Sequence, residues 1–204
     1  LYDFYKTGDR LDGLGVFDVS GHGISSGLVT MLVKNIIHQE FYNQKDVELW
    51  EIVNRINDRV IEEKGEIQNY LTGALVRLFE DKFELVDAGH PAPILYRKKT
   101  GECNFIKLSE KSVGVIGIAG FPVYYESMFY DFEDGDELIL FSDGVVDIKN
   151  ENDEYFGKER LLEAAKVVIG RSSAEQVNFI ANSIYSFCGS REQNDDLTIV
   201  VLKK

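Results

Sequence analysis

Apolar positions recur at two different spacings along the 204-residue chain, and the change of spacing divides it into segments. Between residues 24 and 43 they fall at 24, 28, 32 and 36 and at 29, 33, 37 and 41, which predicts one long helix closing near Asn43. A second run sets Leu49, Ile52, Val53, Ile56 and Val60 on one face, with Asp46 as its N-cap and Gly65 just past its end. From residue 70 the period drops to two. Segments 72–79, 83–87 and 94–96 read as successive strands of a meander, turning at Glu80-Asp81-Lys82 and at Gly89-His90-Pro91. Further strands are expected at 103–107, 124–132, 137–141 and 197–202, with a glycine-rich turn at 112–121. Residues 157–168 predict a third helix, stopped by Gly170. Ser173-Ala174-Glu175-Gln176 reads as a capping box opening a fourth, with core positions Val177, Ile180, Ala181, Ile184 and Cys188. At the start, residues 1–9 suggest a strand, 9–13 a polar turn and 14–19 a short buried strand. Helices, many strands, helices and a strand, in that order, imply antiparallel sheets carrying helices on their outer faces.

Composition narrows the function classes. The chain carries 22 basic against 35 acidic residues, a net charge of −13, so neither nucleic acid nor an anionic membrane is an expected partner. No apolar run approaches the roughly 18 residues that span a bilayer. Cys103 and Cys188 have no metal-ligand spacing, which points to a reducing, cytoplasmic setting. Residue 1 is Leu and not Met, so excision from a longer regulatory protein is expected, with residues 1–204 forming a single domain.

The candidate chemistry gathers at strand ends. In Phe17-Asp18-Val19-Ser20-Gly21-His22-Gly23 a carboxylate closes a strand and precedes a glycine turn and a helix start. This is either a capped strand–turn–helix connection or a site for a hard divalent ion such as Mg2+ or Mn2+. A dinucleotide fingerprint over residues 21–27 fails, because its spacing is one residue too long and Asp18 would repel a pyrophosphate. Asp143 follows the apolar strand 138–141, and Asp195-Asp196 precede the strand 197–200. Were these carboxylates to meet on one rim, shared cations would relieve their repulsion. The alternative is three unrelated turn acids. An EF-hand over residues 147–158 fails, since its sixth position is Asn152 and its twelfth Lys158; the segment is read as a mobile polar loop.

Six motifs stand in order: Gly-Val-Phe-Asp-Val-Ser-Gly-His-Gly (15–23), Leu-Thr-Gly-Ala-Leu (71–75), Asp-Ala-Gly-His-Pro-Ala-Pro-Ile-Leu (87–95), Phe-Ser-Asp-Gly-Val-Val-Asp (141–147), Glu-Tyr-Phe-Gly-Lys-Glu-Arg-Leu (154–161) and Asn-Asp-Asp-Leu-Thr-Ile-Val-Val (194–201). Together they resemble the bacterial SpoIIE-type phosphatases, metal-dependent serine/threonine phosphatases related to type 2C (the PPM family). The resemblance implies an α+β fold, a four-layer αββα sandwich of two mainly antiparallel sheets flanked by helices, with two Mn2+ or Mg2+ ions. It implies Asp18 as bridging ligand with the Val19 carbonyl beside it, Asp143 and Asp195 as further ligands, and Asp196 either supporting that set or taking Asp195's place. His22 is the candidate proton donor to the leaving serine oxygen; His90 is expected to shape a turn and His38 to sit on a helix face. Residues 145–157 match a substrate-facing flap. The implied substrate is a phosphorylated anti-sigma-factor antagonist, with an upstream sensor or receiver domain, room for a homodimer, and no direct membrane contact. The family's opening Gly-Gly-Asp falls upstream of Leu1, and Asp3 matches only its second acid. Two rival classes remain: a phosphatase-fold module that binds protein without catalysis, and a phosphohydrolase of small molecules.

Overall fold

The computed structural model describes residues 1–43, 47–191, 193 and 195–204. In chain order its elements are β1 (Tyr2–Thr7), β2 (Arg10–Val19), α1 (Ile24–Asn43), α2 (Leu49–Lys64), β3 (Leu71–Leu78), β4 (Lys82–Ala88), β5 (Ile94–Tyr96) and β6 (Cys103–Phe105), followed by β7 (Met128–Asp131), β8 (Glu137–Phe141), α3 (Gly144–Asp147), α4 (Gly157–Val168), α5 (Ser173–Cys188) and β9 (Ile199–Lys203). The expected α+β class holds: two sheets, both antiparallel, accompany five helices among the described residues. The chain divides into two compact units, Leu1–His90 with Leu108–Asp131, and Pro91–Lys107 with Phe132–Lys204.

The first unit holds the sheet β1-β2-β3-β4-β7. Its core joins Val33, Ile36, Ile37 and Phe41 of α1 and Ile52, Ile56 and Val60 of α2 to Phe17, Leu75 and Val86 on the strands. Two aromatic rings fill what small residues leave open on this face. Phe17 lies opposite Gly73 in the β2–β3 register, and a Cβ on Gly73 would meet the Phe17 ring at 2.3 Å. A Cβ on Gly15 would meet the same ring at 2.4 Å, and one on Gly13 would meet the Phe41 ring at 2.5 Å. These glycines are small because aromatic rings lie directly on the backbone.

The second unit holds the sheet β6-β5-β8-β9. Ile94, Ile139 and Phe141 on its strands pack with Leu161, Ala165 and Val168 of α4 and Ile180, Ile184 and Cys188 of α5. Glu137 at the start of β8 is buried but satisfied: Gln176 Nε2 donates to it at 2.6 Å, Gly170 N at 3.1 Å, and Lys203 Nζ lies 2.8 Å away.

Several local expectations change. The residues read as a polar turn, 9–13, are mostly strand, since β2 begins at Arg10 and only Gly8 and Asp9 turn. The meander breaks at Gly89-His90-Pro91: β3 and β4 pair as expected, but β5 joins the other sheet beside β8. The capping box sits one residue earlier, with Ser172 Oγ accepting from Glu175 N and Glu175 Oε2 accepting from Ser172 N. Gln176, not Val177, is consequently the fully buried position at that end of α5. Asp46, expected to cap α2, lies outside the described residues. Glu48 occupies the N-cap position without a side-chain cap bond, and the carboxylate that accepts from Leu49 N, at 2.5 Å, is Glu84 on β4.

Candidate active site

Each unit carries part of the acidic constellation. In the first, the β2 ladder runs to Val19, with Asp18 opposite Thr72 and Val19 opposite Leu71, so the Asp18 side chain leaves a fixed strand end. The turn after it is tied to the chain before β3. Ser20 N donates to Tyr70 O at 2.8 Å, Tyr70 N donates back to Ser20 Oγ at 2.9 Å, and Asn69 Nδ2 donates to Ser20 O. Gly21 and Gly23 take φ values of 80° and 86°, a left-handed backbone that a side chain would strain. His22 between them is exposed to solvent. Ser26 Oγ donates to Gly23 O at 3.0 Å as α1 begins.

His90, in the same unit, is buried. Its backbone N donates to Asp87 Oδ1 at 2.8 Å, and its Nδ1 is 2.9 Å from Thr72 Oγ1, which gives it the turn-shaping role expected from sequence. Burial pushes the Asp87 carboxyl up to about 6, against the pull of the His90 and Gly89 backbone donors. His38 packs its ring against Tyr42 and Tyr5, a helix-face position as expected.

In the second unit Asp143 follows β8 directly and caps the single-turn helix α3, its Oδ1 accepting from Gly144 N at 2.8 Å. Ser142 stitches this strand end to the run into β9: its Oγ donates to Asp196 O at 3.2 Å and accepts from Thr198 N at 3.0 Å. A Cβ on Gly144 would come within 2.6 Å of Asp196 O, so glycine is what lets α3 start against the 195–196 backbone. Asp195 and Asp143 are thereby gathered, and a third carboxylate joins them. Asp147 closes α3 one turn on from Asp143, and its carboxyl is pushed up by partial desolvation and then by repulsion from Asp143 and Asp195. Sequence reading missed Asp147 by assigning it to the rejected calcium loop. The signal was there: a four-residue spacing after Asp143 puts both on one helical face. Asp196 contributes through its backbone, and its N donates to Asp195 Oδ1 at 2.7 Å.

Residues 148–157, read from sequence as a polar loop, pair with themselves as a hairpin. Lys149 and Tyr155 face each other in a bridge, and Phe156 N donates to Ile148 O at 2.8 Å. Asn150 Oδ1 accepts from Asn152 N and Glu154 N, the Asx-type bonding that shapes a tight turn. Two tethers fix this hairpin to the end of α5. Arg191 Nη1 donates to Asn150 O at 2.7 Å and Asp153 Oδ1 at 2.8 Å, while Glu151 Oε1 accepts from Ser190 N at 2.9 Å. A cavity of about 390 Å3 is lined by residues of the hairpin and of the carboxylate cluster together, among them Asp147, Asp195, Lys149, Tyr155 and Arg191.

Among the described residues no group of three or more histidine, cysteine or carboxylate side chains is arranged to hold a metal ion. The residue types at this strand end are nonetheless those a hard divalent cation prefers: Asp143, Asp147 and Asp195 offer carboxylate oxygens, and a cation would relieve the repulsion that adds to desolvation in raising Asp147. No helix among the described residues is long and apolar enough to cross a membrane.

A family model described as Stage II sporulation protein E (SpoIIE) matches residues 9–204. Two curated relatives from Bacillus subtilis (strain 168) are similar: phosphoserine phosphatase RsbU, 25% identical over 100% of this chain and 58% of its own, and phosphoserine phosphatase RsbP, 24% identical over 72% and 36%. The chain thus spans about half or less of either relative. Among solved structures, the SiaA-PP2C domain of Pseudomonas aeruginosa superposes with a TM-score of 0.85 at 19% identity, over 100% of this chain and 79% of that one. The catalytic domain of the phosphatase PstP in complex with two manganese ions matches with a TM-score of 0.67 at 17% identity, over 98% and 89%.

Proposed function

Because the chain belongs to the SpoIIE family, of PPM type with the PP2C fold, we propose that it is the catalytic domain of a metal-dependent phosphoserine/phosphothreonine protein phosphatase. The single observation that carries this reading is the SpoIIE family match over residues 9–204, and the electrostatic influence of Asp143 and Asp195 on Asp147 in the second unit is consistent with it. In this proposal Asp18 and the Val19 carbonyl, with Asp143 and Asp195, hold two Mn2+ or Mg2+ ions, and Asp196 supports Asp195. When bound, the ions supply a water of lowered pKa and neutralise charge on the phosphoryl oxygens.

The chain's own residues set the rest. The ladder ending at Val19 and the Ser142 stitch hold the ligands on strand ends, so that binding does not have to order them. Asp143 keeps one oxygen on Gly144 N, which fixes the direction its other oxygen faces. In this proposal His22, exposed in its turn, gives the proton to the departing serine oxygen. By resemblance, the substrate is a phosphorylated anti-sigma-factor antagonist in the bacterial cytoplasm, delivered under control of an upstream sensor or receiver domain. A homodimer belongs to the same proposal.

The test is Mn2+-dependent hydrolysis of an aryl phosphate by the protein and by Asp143→Asn. The substitution is expected to cost at least about 100-fold in kcat, because each tenfold step is about 1.4 kcal/mol and a ligand to a catalytic ion is worth several kcal/mol. One observation favours a second reading, a protein-binding module without catalysis: the absence of a three-ligand group among the described residues. Calorimetry that finds no Mn2+ binding, together with no turnover, would establish that module and remove the enzyme.

A further inference from the structure

The cavity beside Asp147 and Asp195 has a wall that the proposed metal chemistry leaves unused. Lys149 is half-buried in the bridge with Tyr155, its Nζ held 4.6 Å from the centre of the Tyr155 ring. Among the described residues Lys149 forms no ion pair with a carboxylate. Arg191 spends one terminal nitrogen, Nη1, on the hairpin tether, and a guanidinium has five N–H donors in all. Two cations therefore line one cavity of a chain whose net charge is −13. Lys149, with the donors Arg191 retains beside its pairing to Asp153, is what this cavity offers an acidic ligand alongside the carboxylates of Asp147 and Asp195.

From this we propose that the cavity is a specificity subsite for an acidic side chain, Asp or Glu, flanking the phosphoserine of a protein substrate, read by Lys149 and Arg191. The proposal rests on the phosphatase reading for the existence of a phosphoserine, but its own observation is the cationic wall. The volume of about 390 Å3 is at the small end of ligand cavities, which run from about 300 to 1,000 Å3, and suits a side chain or two rather than a folded surface. The same cavity carries the carboxylates of Asp147 and Asp195, so in this proposal the flanking acid is read by Lys149 and Arg191 while the phosphoryl group belongs to the proposed metal site. Adjacent residues of an extended peptide, about 3.5 Å apart along the chain, are spaced for such a division. Tyr155 holds the Lys149 ammonium in place by a cation–π contact and leaves its charge intact.

Lys149 is the residue to test, because Arg191 also tethers the hairpin. Fluorescence anisotropy in EDTA, where no turnover occurs, would compare phosphoserine peptides with glutamate or lysine flanks on the protein, Lys149→Arg and Lys149→Glu. We expect the glutamate-flanked peptide to bind about tenfold tighter to the protein and to Lys149→Arg, as a charge-assisted hydrogen bond supplies. The preference should vanish or invert in Lys149→Glu, whose fold is checked by circular dichroism. An unchanged preference in Lys149→Glu overturns the subsite. So does an equal loss of affinity for both peptides and for inorganic phosphate, which would assign the wall to the phosphoryl group. Mn2+-dependent hydrolysis is measured on the same samples. Preference with no hydrolysis sinks the enzyme and keeps the subsite; hydrolysis with no preference does the reverse.

Discussion

Two residues test how tightly the first unit is built. Gly73 is held to glycine by the Phe17 ring, which would lie 2.3 Å from any Cβ there. Gly73→Ala is expected to destabilise by about 1–3 kcal/mol, the usual cost of overpacking, read as a lower urea midpoint. Asp87 tests the electrostatics. Its carboxyl titrates at about 6 when folded, above an ordinary aspartate, because burial outweighs its backbone donors. Between about pH 4 and pH 6 the folded state holds a proton that the unfolded chain has lost, so this group's stabilisation is complete below pH 4 and is lost as pH rises to 6. Asp87→Asn keeps an acceptor for His90 N and should remove that dependence. Relative to the parent protein its stability is expected to rise by on the order of 2 kcal/mol between pH 4 and pH 7 in urea titrations. Neither residue's burden was legible in sequence. A glycine in a strand reads the same whether a ring or water lies above it, and Asp87 reads only as the polar end of a strand.

At the scale of elements the sequence was most legible where an element follows from its own residues. The bounds of α4, β5 and β8 agree with their apolar patterns, since each is a short run whose neighbours punctuate it. It was least legible where an element depends on a distant partner. Period alone assigned Ile24 and Leu28 to the buried stripe of α1, yet they are 84% and 58% exposed, because only the C-terminal two-thirds of that helix meets the sheet's core cluster. The start of α2 is the clearer case. Its first N–H is satisfied from β4 by Glu84, 1% exposed, which also accepts from Ser127 Oγ at 2.6 Å and lies 3.5 Å from Arg77 Nη1. Glu84→Ala would leave the Arg77 guanidinium and Leu49 N without that acceptor. A loss of about 3–5 kcal/mol is expected in equilibrium unfolding, as for other broken buried ion pairs.

For the whole molecule, the α+β class and its antiparallel sheets followed from the alternation of spacing along the chain. The assignment of strands to sheets did not. Nothing local in Gly89-His90-Pro91 says that the chain leaves one sheet there, since a hairpin turn and a crossing between sheets use the same residues. Of the acidic site, sequence supplied the strand-end carboxylates Asp18, Asp143 and Asp195 as candidates; the influence of Asp143 and Asp195 on Asp147 comes from the second unit's packing and was not legible. The cationic wall was not legible, because Lys149 and Arg191 lie 42 residues apart and meet only through the hairpin's tethers to the end of α5.

That strand exchange also fixes a timetable. Neither unit is one continuous stretch of chain: the segment Pro91–Lys107 belongs to the second unit and interrupts the first. On the ribosome, at about 5–20 residues per second, β4 emerges well before β7, and β5 well before its neighbour β8. Each waits as an open strand edge, the condition that invites wrong pairing and chaperone capture. Nascent chains stalled with residue 128 and those after it still inside the tunnel should remain protease-sensitive, and resistance of the first unit should appear once Asp131 has emerged. Resistance before that point would mean the sheet closes without its last strand.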